Sequence, residues 1–270
     1  MPDTDELPSF PGVTALARID DVGYCPMYRG RQLRTGRGVA IKLLPAPMDR
    51  AGRSQFEAER SRIGRLRQVA AILQVDEVEA LSDGRPYLVS ELCAESMAGM
   101  IRRGERVEPE RAAELGRVLA DALAQAHELE IVHGSVTPRN VLFRRDGQPA
   151  LSDFGVALRR MYATDPGDEY AAPETLRDGS LTIRTDLYGL GATLYTALMG
   201  EPPFPARIGE HPSERILRVI GRPAPRLDDT VAPAGLAVLL AELMSTSPED
   251  RPGDAAAVAD RFNTALASGK

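Results

Sequence analysis

One internal lysine stands out among arginines. Of the chain's 33 basic residues only Lys42 and Lys270 are lysine. Where arginine is accepted everywhere else, a retained lysine points to a place that needs a compact ammonium rather than a planar guanidinium. Chance retention is the plainer alternative. Other patterned polar residues lie in three short segments: His133 to Asn140, Asp153-Phe154-Gly155, and Ala172-Pro173-Glu174. The two cysteines, Cys25 and Cys93, stand far apart in no metal-ligand spacing, which argues against a zinc site or a disulfide framework.

The elements that must position these residues fall into two regions. Up to about residue 95 short β-like runs alternate with turn signals: Val39–Leu44, Ile72–Val78 and Tyr87–Leu92. Between them Ser54 to Val69 reads as a helix, with Phe56, Ile63, Leu66 and Val69 at mostly three- and four-residue intervals. From about residue 107 the spacing predicts helices over Pro109–Leu129, Asp186–Met199, Ser213–Ile220, Ala234–Met244 and Asp254–Leu266. An α+β fold follows, with a β-rich region preceding an α-rich one. There is no internal repeat and no low-complexity tract.

Composition limits the function classes. The 270 residues suffice for one large domain or two lobes, and 43% hydrophobic with 27% charged residues is ordinary for a globular chain. A net charge of −6 argues against general binding to nucleic acid or to anionic membranes. The N-terminal MPDTDELPSF is neither basic nor apolar, and the longest apolar stretch, Leu187–Met199, is too short to span a bilayer. A cytoplasmic protein without nucleic-acid or membrane partners is expected.

Four segments, Val39-Ala40-Ile41-Lys42, His133–Asn140, Asp153-Phe154-Gly155 and Ala172-Pro173-Glu174, match in order and spacing the bacterial branch of the eukaryotic-like Ser/Thr protein kinases. A fifth, Thr185–Phe204, is similar to the helix that anchors that family's large lobe. The resemblance covers about residues 14–265. It implies a bilobal kinase-like fold: an extension over 1–13, a small lobe over 14–92 and a large lobe over 93–270. His133-Gly134 is also similar to the loop of aminoglycoside-type phosphotransferases, but those generally lack the Ala-Pro-Glu segment and the anchor helix.

The resemblance implies roles. Lys42 and Glu59 fill the positions of the strand lysine that grips the α- and β-phosphates and the helix glutamate that holds it. Asn140 and Asp153 match the two magnesium ligands, both hard oxygen donors. Met27, Ala40 and Leu142 stand where the family sandwiches adenine, Ser90 at the gate behind it, and Glu91 and Cys93 where backbone groups meet the adenine edge. His133, Phe154, Glu174, Asp186 and Arg251 are structural in this reading: His133 packs beside Phe154, Asp186 holds the loop backbone, and Glu174 pairs with Arg251.

The chain departs from the family where transfer is performed. Ser135 replaces the aspartate that accepts or aims the nucleophile's proton, Thr137 the phosphoryl-neutralising lysine, and Gly167 the threonine that links the two. Arg139 is a substitute cation nearby, and Asp168 is the nearest acid in the following loop. The glycine-rich loop is degraded: its three glycines fall at Asp20, Val22 and Cys25, with only Gly23 available, and Asp20 and Asp21 would repel a triphosphate. The stretch Val156–Ala171 has 16 residues and offers Tyr162, Thr164 and Tyr170 as hydroxyls.

The expectation is a pseudokinase that regulates or scaffolds through protein contacts, with an active kinase or a phosphothreonine-binding domain as partner. No cofactor is required, and ATP with magnesium binds weakly if at all. The alternatives are a feeble or unconventional ATP-dependent Ser/Thr kinase and an ATP-sensing switch without transfer. The run Arg50, Arg53, Arg60, Arg62, Arg65, Arg67 reads as a solvated helix face, with partner docking as the sharper alternative.

Overall fold

The computed structural model of the chain describes residues 7–22, 25–155, 161 and 169–265. Gly23, Tyr162, Thr164, Gly167, Asp168 and the side chains of Asp20, Asp21 and Val22 lie outside the described residues.

Five strands form the first sheet: β1 (Val13–Val22), β2 (Cys25–Gln32), β3 (Gly38–Leu43), β4 (Val75–Ala80) and β5 (Pro86–Glu91). They are ordered β1-β2-β3-β5-β4, and all neighbours are antiparallel. The two-residue period of a strand splits β3 between two faces. Val39, Ile41 and Leu43 join Tyr28, Tyr87 and Val89 in one apolar layer, while Ala40 and Lys42 face the other way. Phe10 covers that layer, its ring centroid 4.9 Å from Tyr87 and 5.4 Å from Tyr28. The expected extension over 1–13 thus supplies a core residue. Burying a side chain such as Ile41 completely stabilises the layer by about 1.5–3 kcal/mol.

Helix α1 (Arg50–Ile63) begins where the Asp49 carboxylate accepts from the Gly52 N–H at 2.6 Å. It gives way to a 3₁₀ turn, Gly64–Leu66. The helix read over Ser54–Val69 therefore starts earlier and stops earlier, because Asp49 caps it and Gly64 is a poor helix former. The run read as a strand over Ile72–Val78 is corrected as well. Ile72 makes an isolated parallel bridge to Leu151, and β4 begins only at Val75.

The second region holds a small sheet, β6 (Glu95–Ser96), β7 (Val141–Phe143) and β8 (Pro149–Leu151), in that order. Its helices are α2 (Met97–Arg102), α3 (Pro109–Glu128), α4 (Pro173–Asp178), α5 (Ile183–Met199), α6 (Pro212–Gly221), α7 (Ala234–Leu243) and α8 (Ala255–Ala265). Helix α5 is buried from Thr185 to Leu198 and forms the axis of the main core. It opens with a capping box, in which Thr182 and Thr185 satisfy each other's backbone N–H groups, and ends at Gly200 with φ +81°. Helices α3 and α8 pack so closely that a Cβ on Gly116 would lie 2.5 Å from Phe262 Cζ. Among the described residues no helix is long and apolar enough to cross a membrane.

Candidate functional site in the interlobe cleft

The register of the first sheet gathers the cleft residues on one face. Met27 lies opposite Lys42, and Ala40 lies opposite Ser90. Cross-strand partners point the same way, so these four side chains share a surface. Leu142 enters from β7 in the small sheet, where it pairs with Ser96 and Ala150. Glu91 closes the end of β5, its carboxylate accepting from Arg144 Nε at 2.9 Å. Beside it, burial and then the Glu91 charge push the Cys93 thiol up to about 11, with Arg144 acting the other way.

Lys42 makes its ion pair with Asp153: Nζ donates to Oδ2 at 2.9 Å. Asp153 adopts φ +59°, a left-handed conformation that costs a non-glycine residue about 1–3 kcal/mol and tends to occur at working sites. Two residues on, Gly155 has φ +100°. A Cβ there would fall 2.5 Å from Glu59 Oε2, so α1 sets the Glu59 carboxylate against the Gly155 backbone. The Lys42 ammonium goes to Asp153, and Glu59, the partner that the family resemblance implies for it, lies against the backbone of the same three-residue segment. Cys25 sits on this surface, buried, its thiol pushed up by burial, eased by Lys42 and raised again by Asp153.

The loop between α3 and β7 is held from below. Asp186, at the start of α5, accepts the His133 N–H at 2.8 Å on Oδ2 and the Gly134 N–H at 2.7 Å on Oδ1. His127 Nε2 approaches the same Oδ2 at 2.8 Å. The Ser135 N–H donates to His133 Nδ1, which leaves the proton on Nε2 to bond Ser152 O at 2.8 Å. That fixes the neutral tautomer in which the His133 ring stands edge-on to Phe154, centroids 4.6 Å apart.

Asn140 is buried, and its Nδ2 donates to Ser135 O at 2.8 Å. Its amide oxygen is thereby left as an acceptor. Asn140 and Asp153 are bound to one another's neighbourhood through the Ser152 N–H, which donates to Asn140 O at 2.8 Å. An amide oxygen and a carboxylate suit magnesium, which keeps its remaining positions for phosphate oxygens and water. Between His133 and Asn140 there is no carboxylate and no lysine; Ser135 and Thr137 offer hydroxyls. Thr137 is buried, whereas Arg139 is exposed and its charge reaches Tyr170. Burial pushes the Tyr170 hydroxyl up to about 12, against the opposing pull of a bond to Thr196 and of Arg139.

Further from the cleft, Arg251 Nη1 and Nη2 bond Glu174 Oε1 and Oε2 at 2.6 and 2.8 Å, both side chains being buried. Arg251 also lies 5.0 Å over the Tyr188 ring. Sequence reasoning missed one contact that bears on the cleft. Arg62, read as part of a solvated face, donates from Nη2 to Leu129 O at 2.8 Å and to Glu130 O at 2.7 Å. It ties α1 to the end of α3. The only trace of this in the sequence is that Arg62 follows Glu59 by three residues, which puts both on adjoining helix positions.

A sheet-based small lobe over a helical large lobe, with a lysine and an aspartate joined in the cleft, defines the kinase-fold class. The chain belongs to the protein kinase domain family, whose model matches residues 22–263. It is 34% identical over 271 residues to the serine/threonine-protein kinase PknK of Mycobacterium tuberculosis, covering 96% of this chain and 24% of that protein. It is 30% identical to the DNA damage-responsive serine/threonine-protein kinase RqkA of Deinococcus radiodurans, covering 90% of this chain and 38% of the relative. To the serine/threonine-protein kinase PknL of Mycobacterium tuberculosis it is also 30% identical, covering 90% of this chain and 62% of PknL. The chain therefore spans less than two thirds of the length of each of these relatives.

Proposed function

We propose that this kinase domain is a pseudokinase: it binds a protein partner and regulates or scaffolds it, with phosphotransfer reduced to a residue of the family's activity. The observation that carries this is Ser135. A hydroxyl cannot serve as an acceptor carboxylate near neutral pH, and losing a general base costs about 10²- to 10⁴-fold in rate. Thr137 removes the nearby cation from the same cluster. The partner is an active kinase or a phosphothreonine-binding domain, and the setting is the cytoplasm.

The Lys42–Asp153 pair favours a second reading, a nucleotide-responsive switch. When bound, magnesium would screen the charge of a triphosphate. Asp153 and the Asn140 amide oxygen would hold the metal, Lys42 would turn from Asp153 toward the phosphates, and Met27, Ala40 and Leu142 would flank the base. Glu59 would keep the Gly155 backbone in place. Between His133 and Asn140 no carboxylate is then at hand to take the acceptor's proton. The serine/threonine kinase names of PknK, RqkA and PknL support the remaining alternative, a Ser/Thr kinase of low activity.

The test is a radiolabelled ATP phosphotransfer assay on the chain and on the double variant Ser135→Asp, Thr137→Lys, together with a thermal-shift titration with ATP and magnesium. The pseudokinase reading expects transfer by the unmodified chain at or near background, and recovery in the double variant of about 10²-fold or more over it. Robust transfer by the unmodified chain would overturn it. A magnesium-dependent rise in melting temperature without transfer would select the switch.

A further inference from the structure

Helix α7, AGLAVLLAEL, has a single charged residue, Glu242. A helix apolar all round belongs inside a core, whereas a surface helix turns polar residues outward. Leu236, Leu239, Leu240 and Leu243 are buried as that rule requires. Ala234, Val238 and Ala241, spaced by four and three residues, form a second apolar stripe, and Val238 is 51% exposed. No described element covers this stripe. It lines a groove of about 990 Å³ whose apolar walls are completed by Leu227 and Met244. That volume is at the upper end of the range for binding sites.

The rim of the groove has a sign. Asp229, Glu242, Glu249 and Asp250 stand on it against Arg177 and Arg226. Glu242 is bonded to Arg261 at 2.5 Å, and Arg177 lies 3.6 Å from Asp178. The lining itself thus carries four carboxylates against two guanidinia, and from outside it Arg184 and Arg251 also act on Glu249. Glu249 is held ionised first by the Ser247 hydroxyl, which donates to it at 2.6 Å. An apolar floor with an acidic rim selects against nucleic acid and anionic lipid and in favour of a basic, apolar segment.

We infer that this groove docks a segment of a partner protein that presents apolar side chains flanked by lysine or arginine. None of its lining comes from the small lobe, so occupation of the groove and occupation of the Lys42 cleft are separate events. The inference deepens the scaffold reading, and the two fail separately: robust phosphotransfer would remove the pseudokinase and leave peptide binding at the groove unchanged.

The experiment pans a displayed library of random peptides against the purified 270-residue chain and measures recovered peptides by fluorescence anisotropy. Basic, apolar peptides are expected, with Val238→Glu weakening them by about tenfold or more. The paired variant Asp229→Arg, Asp250→Arg should weaken them similarly through the rim, and Lys42→Met should leave them unchanged. Val238 is half exposed, so its replacement spares the fold, which circular dichroism checks. Recovery of acidic peptides, of none, or of peptides indifferent to Val238→Glu would overturn the inference. So would sedimentation showing that Val238→Glu abolishes self-association, which would assign the groove to a second copy of the chain.

Discussion

Lys42 Nζ and Asp153 Oδ2, 111 residues apart in sequence, meet at 2.9 Å in the cleft. Their side chains are 19% and 35% exposed, so the pair is partly solvated and is worth no more than about 1 kcal/mol to folding. Lys42→Met should accordingly move the urea midpoint only slightly. It should abolish any magnesium-ATP shift of the melting temperature shown by the unmodified chain. A large loss of stability in this variant would make Lys42 a structural residue.

The Glu174–Arg251 pair differs from it in depth. Both side chains are buried and joined by two bonds, so removing one partner strands the other charge away from water. Arg251→Met alone should destabilise the chain by about 3–5 kcal/mol in urea unfolding. Adding Glu174→Gln to it should recover part of that loss, since the stranded carboxylate is then gone. No recovery in the double variant would mean that Arg251 stabilises mainly through its bonds to the carbonyls of Ser245 and Arg184.

Arg62 hangs α1 on the carbonyls of Leu129 and Glu130, and Glu130 holds φ +55° to present one of them. Hydrogen bonds from a charged donor are worth about 1.5–3 kcal/mol, less where solvent competes. Arg62→Ala should therefore open α1 locally. Amide hydrogen exchange over residues 50–63 should quicken by about tenfold while α5 exchanges as before. Arg65→Ala is the control, since Arg65 makes no bond among the described residues. Equal effects from both variants would return Arg62 to the solvated face.

Cys93 should be slow to alkylate. Its thiol ionises at about 11, whereas an ordinary cysteine ionises near 8.5, so at pH 8 the native chain carries about 10²-fold less thiolate there than the unfolded chain. The raised value means reactivity climbs with pH up to about 11 instead of levelling off near 9. Iodoacetamide labelling followed by peptide mass spectrometry across that range gives the profile. Levelling near 8.5 in the folded chain would show that Cys93 is solvated.

Much of the fold was legible because it rests on local rules. Long helical segments marked α3, α5, α7 and α8, and short β-like runs bounded by turn signals marked β3 and β5. The strands β1 and β2 were not picked out, because Asp20, Asp21, Pro26 and the arginines Arg18, Arg29 and Arg31 obscure any alternation there. Strands of three residues, such as β7 and β8, are too short to show a period at all. Helix α1 was found but misplaced, since its start depends on one carboxylate, Asp49, taking up one N–H.

By itself the sequence determined the chemical inventory: a solitary internal lysine, an asparagine and an aspartate with oxygen donors of the kind magnesium takes, and a serine rather than a carboxylate at position 135. Those are matters of residue type, fixed when the chain is made. Only the tertiary structure decided who meets whom. Strand register put Met27, Ala40 and Lys42 on one face, the left-handed turn at Asp153 brought its carboxylate to Lys42, and helix packing left Val238 uncovered. Such pairings join residues up to 111 positions apart, and their energies depend on distances that no local pattern encodes.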